Sequence, residues 1–517
     1  MAWNTPVSAF ARTAISVLQQ TCAEWEWCIV DDASTLVDFH ALFAVFGDTD
    51  RIKIRKLERK QGMSGALNEG LRLAIGEDVC FLNQNDALSP AALTECVQKL
   101  DQGFDAVYTD HDVANEGAIQ ARPVYKPDWS PEYFRGVMYI GDLLCVRRDI
   151  ALRIGGFDPR FDGIEAFEFM LRYCEQTQRI GHLSKILYHR VTSGDLESAQ
   201  STSADATALQ SKAVQEHLHR MRLPAVAEPA SYPHRLRIVP RPVRDQPLVS
   251  VVIPTKDAPD LLRGCIGSIT EKTTYARFEI ICVDNETTDA EALRVMQAYP
   301  VEQVLFPGRF NYSRANNLGV RRAAGEYLVF INNDTEVITS RWIEEMLYYA
   351  RQEDVGAVGA MLLYPDWTVQ HAGVVLGCRG TADHVSRNAP ANSDGYEGSL
   401  SCAREVSAVT AACMMLSRSA FERAGGFSEE YSTAYQDVDL CLRLRSLGFR
   451  NIFTPHARFF HFESRTRGNY YDLGDRNRLL TTWGETIAAL DPYYSPNFDV
   501  QACNYTPKLP AGASAAV

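Results

Sequence analysis

The sequence predicts an α/β fold made of two tandem copies of one domain, each containing a mostly parallel sheet. Two observations lead to this prediction. Short motifs recur at a nearly constant distance along the 517-residue chain, and apolar runs of strand length alternate with amphipathic helical segments inside each copy. Strands that alternate with helices are typical of a sheet that carries helices on both of its faces.

The repeat is visible in matched pairs of motifs. Asn68, in the motif Ala-Leu-Asn-Glu-Gly, corresponds to Asn317, in Ala-Asn-Asn-Leu-Gly, 249 residues further along the chain. Further pairs, separated by 249 to 272 residues, are Gly76 with Gly325, Asp31 with Asp284, Gly156 with Gly426, and His189 with His461. Many short matches at similar separations indicate two homologous domains rather than chance similarity.

The repeat and the composition divide the chain into four parts. Between Leu223 and Leu248 the sequence contains six prolines, which remove backbone donors and fix φ, so this stretch is predicted to be a linker. The Pro-, Gly- and Ala-rich tail Lys508–Val517 is expected to fray. The predicted divisions are residues 1–222 (first copy), 223–247 (linker), 248–470 (second copy) and 471–517 (C-terminal extension and tail).

The composition excludes several classes of protein. The net charge of −13 argues against a general nucleic-acid binder. The 13 cysteines form no CxxC pair and lie mostly in apolar runs, which favours buried free thiols in a reducing compartment over disulfides or zinc sites. Examples are Cys80, Cys145, Cys282 and Cys413. Residues 1–10 show no signal-peptide pattern and no apolar run is long enough to span a bilayer, so a cytoplasmic protein is expected.

The second copy shows the alternation of elements most clearly. The predicted order is a strand at Leu248–Pro254, a helix around Leu261–Thr270, a strand at Phe278–Val283, a helix at Asn311–Ala324 and a strand at Tyr327–Ile331. Ligands of such sheets bind beyond the carboxyl ends of the strands, so the residues that follow each strand are the informative ones.

Polar residues follow three of these strands. The clusters are Pro254–Asp257, Asp284–Asp289 and Asn332–Glu336. Any one of them is typical of turn and helix-cap chemistry, because Asp, Asn and Thr side chains bond to nearby backbone groups. Three such clusters at successive strand ends favour a binding site.

Five stretches of the second copy are specific when they are taken together. They are Val249–Pro254, Phe310–Gly319, Asn332–Val337, Val369–Val375 and Tyr435–Asp439. On these stretches the chain resembles the family 2 glycosyltransferases, which have the Rossmann-like GT-A fold, over roughly residues 3–200 and 247–468. The resemblance is nearest to the tandem enzymes of bacterial surface-polysaccharide synthesis, of the O-antigen and rhamnan type.

The resemblance implies a donor site and a metal site. A nucleotide-sugar would be held by Pro254, Thr255, Asp284, Asn285, Asn317 and Asn333, with Asp284 accepting hydrogen bonds from the base or ribose. Asp334, the remaining acid of an Asp-x-Asp-like motif, would hold Mg²⁺ or Mn²⁺, hard cations that suit oxygen ligands and a diphosphate. His461 matches a further metal or diphosphate ligand, although a histidine packed between aromatic residues is the alternative.

The resemblance also implies a catalytic base. Asp437 matches the carboxylate that takes the proton of the acceptor hydroxyl as its oxygen attacks the anomeric carbon. One direct displacement of this kind inverts the anomeric configuration. Asp439 is the neighbouring acid of the same motif. The sequence pattern alone also allows Asp437 to be a residue that favours the start of the helix predicted at Leu440–Leu447.

The first copy differs at the same positions. Asn85 stands where Asp334 is expected, and an amide is a poorer ligand than a carboxylate for a hard cation. Ala166 stands where Asp437 is expected, and alanine cannot accept a proton. Glu165 or Glu168 would replace it only after a shift of register. The first copy is therefore predicted to be catalytically weak or inactive, and to position the acceptor or stabilise the second copy.

The counterpart of the strand Leu248–Ile253 is missing from the first copy. Trp3–Pro6 already corresponds to the loop after that strand, so strand edges would be left exposed. Either translation starts further upstream, or the first copy is a degraded domain.

Together these features predict an inverting, metal-dependent glycosyltransferase. The donor would be a nucleoside-diphosphate sugar, with dTDP-rhamnose as the guess weighted by the family. The acceptor would be a lipid-linked bacterial glycan, which implies peripheral contact with the inner membrane. A non-catalytic glycan-binding or scaffold protein is the alternative. A nucleotidyltransferase is a third hypothesis, but no Gly-rich, basic phosphate loop follows Ile253.

Overall fold

A computed structural model describes residues 2, 4–39, 50–115, 121–192, 203–242, 244–462 and 473–508. They fall into two compact units. Unit 1 lies within Met1–Trp129 and Phe134–Ile238, and unit 2 lies within Ser130–Tyr133 and Val239–Val517. Within the described ranges, no helix combines the length and the hydropathy that crossing a membrane requires.

The first 240 residues alternate helices with short strands. The described helices are α1 (Val7–Leu18), α2 (Gly62–Leu73), α3 (Ala92–Asp101), α4 (Pro131–Gly136), α5 (Arg148–Arg153), α6 (Glu165–Tyr173) and α7 (Ser203–Arg220). The strands are β1 (Trp27–Asp31), β2 (Ile52–Lys56), β3 (Asp78–Cys80), β4 (Ala87–Leu88), β5 (Ala106–Asn115), β6 (Arg122–Val124), β7 (Leu144–Arg147), β8 (Ile180–Thr192), β9 (Ala225–Pro229) and β10 (Leu236–Pro240).

The strands of unit 1 belong to separate sheets. The larger sheet has the order β3-β7-β5-β8-β4, with β6 added to β5, and a parallel pair is formed by β1 and β2. A third, two-stranded sheet joins β9 and β10.

The rest of the chain repeats the alternation at greater length. The helices are α8 (Pro259–Lys272), α9 (Ala290–Ala298), α10 (Tyr312–Arg322), α11 (Trp342–Ala350), α12 (Arg418–Arg423), α13 (Gln436–Ser446) and α14 (Leu473–Ala488). The strands are β11 (Val249–Thr255), β12 (Phe278–Asp284), β13 (Val301–Leu305), β14 (Tyr327–Ile331), β15 (Thr335–Val337), β16 (Val355–Leu363), β17 (Val369–His371), β18 (Val374–Leu376), β19 (Ala382–His384), β20 (Arg404–Val406), β21 (Cys413–Ser417) and β22 (Arg450–His461).

One large sheet organises unit 2. Its order is β13-β12-β11-β14-β21-β16-β22-β15, with β17 on β16 and β20 on β22. The strands from β13 to β14 are parallel, whereas β21 runs antiparallel to both of its neighbours. All seven residues of β11 are buried, as expected for an apolar, β-branched strand that has helices over both faces.

The predicted α/β class is confirmed. The five elements predicted in the second copy are also confirmed, each with boundaries within two residues of those observed for β11, α8, β12, α10 and β14. Local signals fix some of these ends. The side chain of Asp289 accepts the amides of Glu291 and Ala292 at the start of α9, and Asn311 accepts the amide of Arg314 at the start of α10.

Part of the segment predicted as a Pro-rich linker is folded. β9 and β10 lie within it and pair with each other, and Ser211 of α7 donates a hydrogen bond to the carbonyl of Ala227 at 2.7 Å. Pro229 and Pro240 stand at the ends of the two strands, where a missing amide hydrogen does not interrupt the pairing.

The described part of the C-terminal extension packs on unit 2. Asp475 of α14 accepts the backbone amides of Ser432, Thr433 and Ala434 at 2.9–3.1 Å. Leu479 of the same helix has no exposed surface. Residues 509–517, most of the tail that was predicted to fray, lie outside the described residues.

Two disulfides contradict part of the cysteine prediction. Cys80 is bonded to Cys145, and Cys378 to Cys503, so the expectation of free thiols is wrong for these four. Cys80 and Cys145 face each other in the antiparallel register of β3 and β7, a relation that a sequence separation of 65 residues does not reveal. Cys282 and Cys413 are free and buried, as predicted.

Candidate functional site

The carboxyl ends of β11, β12 and β14 are tied together at one edge of the unit 2 sheet. The carbonyl of Thr255 accepts the amide of Asn285 at 2.9 Å, and the side-chain amide of Asn333 donates to the Thr255 hydroxyl at 3.1 Å. The three polar clusters that follow these strands therefore form one region, as the parallel topology requires.

The residues after β12 mainly hold loops. The carboxylate of Asp284 accepts the amide of Thr287 at 2.9 Å. Asn285 is 2% exposed, and its side-chain amide donates to the carbonyls of Phe306 and Gly308, each at 2.9 Å. Pro254 is buried and lies opposite Val283 in the β11–β12 register. Contacts of these residues with a nucleotide remain a prediction.

Asn317 has a contact that the sequence analysis did not assign. Its side-chain amide donates to the carbonyl of Phe427 at 2.9 Å and accepts the amide of the same residue at 3.1 Å. In unit 1, Asn68 bonds to Phe157 in the same two ways, at 2.8 and 2.7 Å. The repeated asparagine thus anchors a helix to the Gly-Gly-Phe turn, and its predicted contact with a donor remains untested.

Asp334 and His461 form a buried pair beside this edge. The Nε2 atom of His461 lies 3.2 Å from Asp334 Oδ1, and the two residues are 8% and 6% exposed. The Nδ1 atom of His461 lies 2.6 Å from the side-chain oxygen of Gln370, which is an acceptor. The Nδ1–H group therefore donates to Gln370, and Nε2 faces Asp334 and, at 3.3 Å, the side-chain amide of Asn332.

This pair fits a divalent cation that is completed by ligands from outside the protein. Two ligands held at right angles, each about 2.1 Å from a cation, lie about 3 Å apart, which is close to the observed separation of Asp334 and His461. The bond from Gln370 is the kind of outer contact that orients a histidine ligand. Among the described residues no group of three His, Cys, Asp or Glu side chains is arranged for a metal, so phosphate oxygens or water would supply the other ligands.

Asp437 lies on the first turn of α13. Its carboxylate oxygens accept the backbone amides of Ala411 at 3.0 Å and Val438 at 2.9 Å. Burial raises the pKa of Asp437 above its usual value, although these hydrogen bonds act in the opposite direction. A carboxylate with a raised pKa is a better proton acceptor than a carboxylate with the usual aspartate pKa.

Asp439 has a different role from Asp437. It is 3% exposed, forms an ion pair with Arg443 at 2.8 Å, and accepts the indole N–H of Trp483 at 2.9 Å. The contact with Trp483 joins α13 to α14. Asp439 is therefore a structural residue, which leaves Asp437 as the candidate base of the motif.

Residues 411 and 412 connect the loop that carries Asp334 with the helix that carries Asp437. The carbonyl of Ala412 accepts the amide of Asn332, two residues before Asp334, at 3.2 Å. The amide of Ala411 donates to Asp437. The loop that carries Asp334 and the helix that carries Asp437 are thus attached to neighbouring peptide groups.

Three further residues of this region were not assigned from the sequence. Gln370 orients His461, as described above, and the next residue, His371, is fully buried with its Nδ1 atom 2.9 Å from Nδ1 of His384. Burial lowers the pKa of His371 well below its usual value and that of His384 to about 4. Both rings are therefore neutral near pH 7. Gln370 and His371 belong to the stretch Val369–Val375 that carried the resemblance, and His384 lies outside it.

Among the residues that the structure describes in unit 1, Asp86 and His189 have other partners than Asp334 and His461 have. Asp86 accepts the Tyr188 hydroxyl at 2.6 Å and the amide of Val191 at 2.9 Å. His189, the counterpart of His461, has Nε2 3.0 Å from the Ser89 hydroxyl and Nδ1 2.9 Å from Asp112. The two nitrogens of His189 thus face Asp112 and Ser89, whereas those of His461 face Gln370 and Asp334.

Unit 1 retains the structural acid and not the candidate base. Glu168 corresponds to Asp439 and forms the matching ion pair with Arg172, four residues later. Ala166 occupies the position of Asp437 on α6. Glu165 accepts the amide of Gly163 at 2.7 Å. The ion pair of Asp439 is therefore present in both units, whereas the carboxylate of Asp437 has no counterpart in unit 1.

Comparison with known proteins identifies the family. The sequence profile described as "Glycosyl transferase family 2" matches residues 3–155 and 250–425. The chain is 36% identical over 520 residues to the O-antigen biosynthesis protein RfbC of Myxococcus xanthus, with 96% of this chain and 40% of that protein covered. It therefore spans less than half of that relative's length.

Two further similarities are more distant. An N-acetylglucosaminyl-diphospho-decaprenol L-rhamnosyltransferase of Mycobacterium tuberculosis is 27% identical over 213 residues, covering 37% of this chain and 68% of that protein. The solved structure of GalNAc-T7 with UDP, GalNAc and Mn²⁺ aligns over 49% of this chain and 51% of its own, with 13% identity and a TM-score of 0.39. The profile matches in both copies show that the chain belongs to glycosyl transferase family 2.

Proposed function

We propose that unit 2 transfers a sugar from a nucleoside-diphosphate sugar to a hydroxyl group of a glycan, with inversion at the anomeric carbon. The observation that carries this proposal is Asp437, a half-buried carboxylate with a raised pKa that is attached through residues 411–412 to the loop of Asp334. Membership of the family supports the reaction class.

The reaction needs one proton acceptor and one leaving group. The Asp437 carboxylate takes the proton of the acceptor hydroxyl while that oxygen bonds to the anomeric carbon. The bond from the anomeric carbon to the diphosphate breaks on the opposite face, and the electron pair leaves with the nucleoside diphosphate. One displacement of this kind inverts the configuration.

The leaving diphosphate would be bound beside Asp334 and His461. A divalent cation held there would neutralise the charge that grows on the diphosphate. Asp334 would supply a hard oxygen ligand and His461 a ring nitrogen, and the contact with Gln370 orients the imidazole ring. Mg²⁺ and Mn²⁺ both suit this donor set.

The relatives suggest the substrates. One relative is named for O-antigen biosynthesis, and another is named as a rhamnosyltransferase that acts on a diphospho-decaprenol acceptor. We therefore propose a lipid-linked glycan as acceptor and dTDP-rhamnose as donor. The enzyme would work at the cytoplasmic face of the inner membrane and touch it peripherally.

The test is a screen of nucleotide-sugars with the full chain and Mn²⁺, measuring release of nucleoside diphosphate. Release that depends on donor identity and is lost in Asp437→Asn supports the proposal. Release of pyrophosphate would instead indicate a nucleotidyltransferase. Failure of the protein to bind a nucleoside diphosphate with Mn²⁺ in calorimetry would favour a non-catalytic scaffold.

A non-catalytic role is the second candidate function, and for unit 1 a specific observation favours it. Ala166 replaces the base, and His189 faces Ser89 and Asp112 instead of the partners that His461 has in unit 2. We therefore propose that unit 1 does not catalyse transfer, and that it binds acceptor glycan or stabilises unit 2.

A further inference from the structure

His371 and His384 form a pair of contacting rings in unit 2. His371 ends β17 and has no exposed surface, and His384 ends β19. The Nδ1 atoms of the two rings lie 2.9 Å apart, and the ring planes meet at 80°. Two neutral imidazole rings bonded in this way share one proton between these nitrogens, so one ring is the donor and the other is the acceptor.

The second nitrogen of His371 decides which ring is the donor. The backbone amide of Thr410 donates to Nε2 of His371 at 3.5 Å. An amide can only donate, so Nε2 is the acceptor and the proton of the neutral ring is on Nδ1. His371 then donates to His384, whose own proton is on Nε2. His384 therefore holds His371 in the tautomer that accepts the Thr410 amide.

The two rings are neutral near pH 7. Burial lowers the pKa of His371 well below its usual value and that of His384 to about 4. The charged and titratable groups around the two rings are Arg387, Arg404, Asp383 and His461. The arginines act in the same direction as burial, and Asp383 acts in the opposite direction on His384. Neutrality matters because a protonated His371 would have no lone pair for the Thr410 amide.

Thr410 and the residue after it both contact the candidate base. The amide of Ala411 donates to the carboxylate of Asp437 at 3.0 Å. Burial raises the pKa of Asp437, and the hydroxyl of Thr410 is among the hydrogen-bond donors that act in the opposite direction. Two consecutive residues thus bind one carboxylate, one through its backbone and the other through its side chain.

The segment 408–412, between β20 and β21, is held on both sides of this contact. The carbonyl of Ala411 accepts the hydroxyl of Tyr312 at 3.0 Å, and the amide of Thr410 is held by the imidazole. A shift of the Thr410 amide would turn the peptide group that follows, and that peptide group carries the amide that binds Asp437. The position of the carboxylate therefore depends on the imidazole ring.

The first copy carries none of these groups at the matched positions. The registers of β3 with β7 and of β14 with β21 align Ile140 with Thr410, at the separation of 270 residues that also relates the two Gly-Gly-Phe turns. Ala166 stands in place of Asp437, and no histidine occurs between residues 112 and 181. The hydroxyl, the two histidines and the base are thus present together in one copy and absent together from the other.

We propose that His371 and Thr410 are positioning residues of Asp437, and that His384 acts with them by fixing the tautomer of His371. This inference rests on the proposed function, in which Asp437 is the base. The three side chains act through Asp437 and not on the substrate. They hold its carboxylate in one orientation, so that the acceptor hydroxyl meets a proton acceptor that is already in place.

The first test replaces Thr410 and follows release of nucleoside diphosphate by the full chain with Mn²⁺ and the donor that gives the fastest release in the nucleotide-sugar screen. Thr410→Val keeps the shape of the side chain and removes the hydroxyl. A hydrogen bond to the charged form lowers a pKa, so its loss raises the pKa of Asp437. The acidic limb of the turnover profile should therefore move to higher pH.

Two further variants control this shift. Thr410→Ser keeps a hydroxyl and should return the acidic limb toward its original position. Thr274 is the matched control, because its hydroxyl bonds to the carbonyl of Ser340 and to Glu344. Thr274→Val removes a hydroxyl of the same kind and should leave the acidic limb in place.

The second test replaces His371. His371→Leu removes the acceptor of the Thr410 amide and should lower turnover between about tenfold and a hundredfold, with the KM for the donor unchanged. His371→Gln offers a side-chain oxygen to the same amide and should recover most of the turnover. Thermal unfolding shows whether His371→Leu is folded. If it is not, the smaller change Thr410→Val decides the question.

Asp437→Asn, measured in the same assay, separates this inference from the proposed function. If Asp437→Asn is inactive while Thr410→Val and folded His371→Leu keep the natural turnover and pH profile, the positioning role is refuted and the proposed function stands. If Asp437→Asn transfers sugar normally, the proposed function fails and the positioning role fails with it. Lower turnover that the conservative variants do not restore, with the acidic limb unmoved, would assign these residues to the fold and would also overturn the proposal.

Discussion

Asp437 and Asp439 stand two residues apart on the first turn of α13, but their carboxylates have different partners. Asp437 accepts backbone amides from Ala411 and Val438, whereas Asp439 is joined to Arg443 and Trp483. The two acids of one short motif therefore separate into a candidate base and a structural ion pair.

Asp437→Asn should remove transfer and leave donor binding intact. The amide keeps the shape of the side chain but cannot take a proton, so the turnover rate should fall by about 10²–10⁴-fold. Nucleoside diphosphate release gives the rate, and calorimetry gives the donor affinity. Substantial transfer by the variant would mean that unit 1 is active or that another group is the base.

The pH dependence of transfer should reflect the raised pKa of Asp437. The base works as a carboxylate, so the rate should be full above this pKa and fall as the pH decreases through it. We expect the acidic limb of the profile to lie above the ordinary aspartate value of about 3.9. A profile that stays flat down to that value would argue against Asp437 as the base.

Asp334→Asn gives unit 2 the residue type that the first copy has at the matched position, Asn85. It should weaken binding of Mn²⁺ with a nucleoside diphosphate by more than tenfold. The physical reason is the loss of a charged oxygen ligand. Gln370→Leu should weaken it less, by about 10-fold, because it disturbs only the orientation of His461. Calorimetry with Mn²⁺ and UDP or dTDP measures both, and Asn85→Asp is a matched control that should not create a second site. Unchanged binding in Asp334→Asn would contradict the metal assignment.

Asp439→Ala should destabilise the fold. It removes one partner of a buried ion pair and leaves Arg443 without its carboxylate, a change that costs about 3 kcal/mol. Glu168→Ala should have a similar effect on unit 1, through Arg172. Urea unfolding measures both. Loss of activity in Asp439→Ala at unchanged stability would assign this acid to catalysis instead.

Gly70→Ala and Gly319→Ala should have opposite effects on the free protein. Gly70 lies inside α2 with space beside it, so alanine should stabilise unit 1 by about 0.5–1 kcal/mol through its better helix propensity. A Cβ atom added to Gly319 would lie 2.4 Å from Cγ1 of Val252. Alanine there should therefore destabilise unit 2 by about 1–3 kcal/mol. Thermal unfolding compares the two, and equal destabilisation would show that Gly70 does not have this space beside it.

The local elements of unit 2 could be predicted because their signals are local. An apolar, β-branched run such as Val249–Thr255 and the caps Asp289 and Asn311 are properties of a few adjacent residues. The repeat could also be predicted, because it is a comparison of the sequence with itself. The segment 223–247 was harder, because its prolines give the composition of a linker although two of them, Pro229 and Pro240, stand at the ends of strands.

The disulfides and the side-chain partners depend on residues that are far apart in the chain. Cys80 meets Cys145 only through the register of two antiparallel strands. Gln370 orients His461 across 91 residues, and Asp439 meets Trp483 of α14 across 44. No periodicity or composition encodes such pairs.

The sequence by itself determined the family resemblance, the two copies, and the substitution of Asn85 and Ala166 for the acids of the second copy, because each of these can be seen by comparing residue types at matched positions. The tertiary structure decided which of two neighbouring acids forms an ion pair, which residues face His461, and which cysteines are bonded to each other. Those properties arise from distances between groups that the sheet and its helices bring together, and linear order does not contain them.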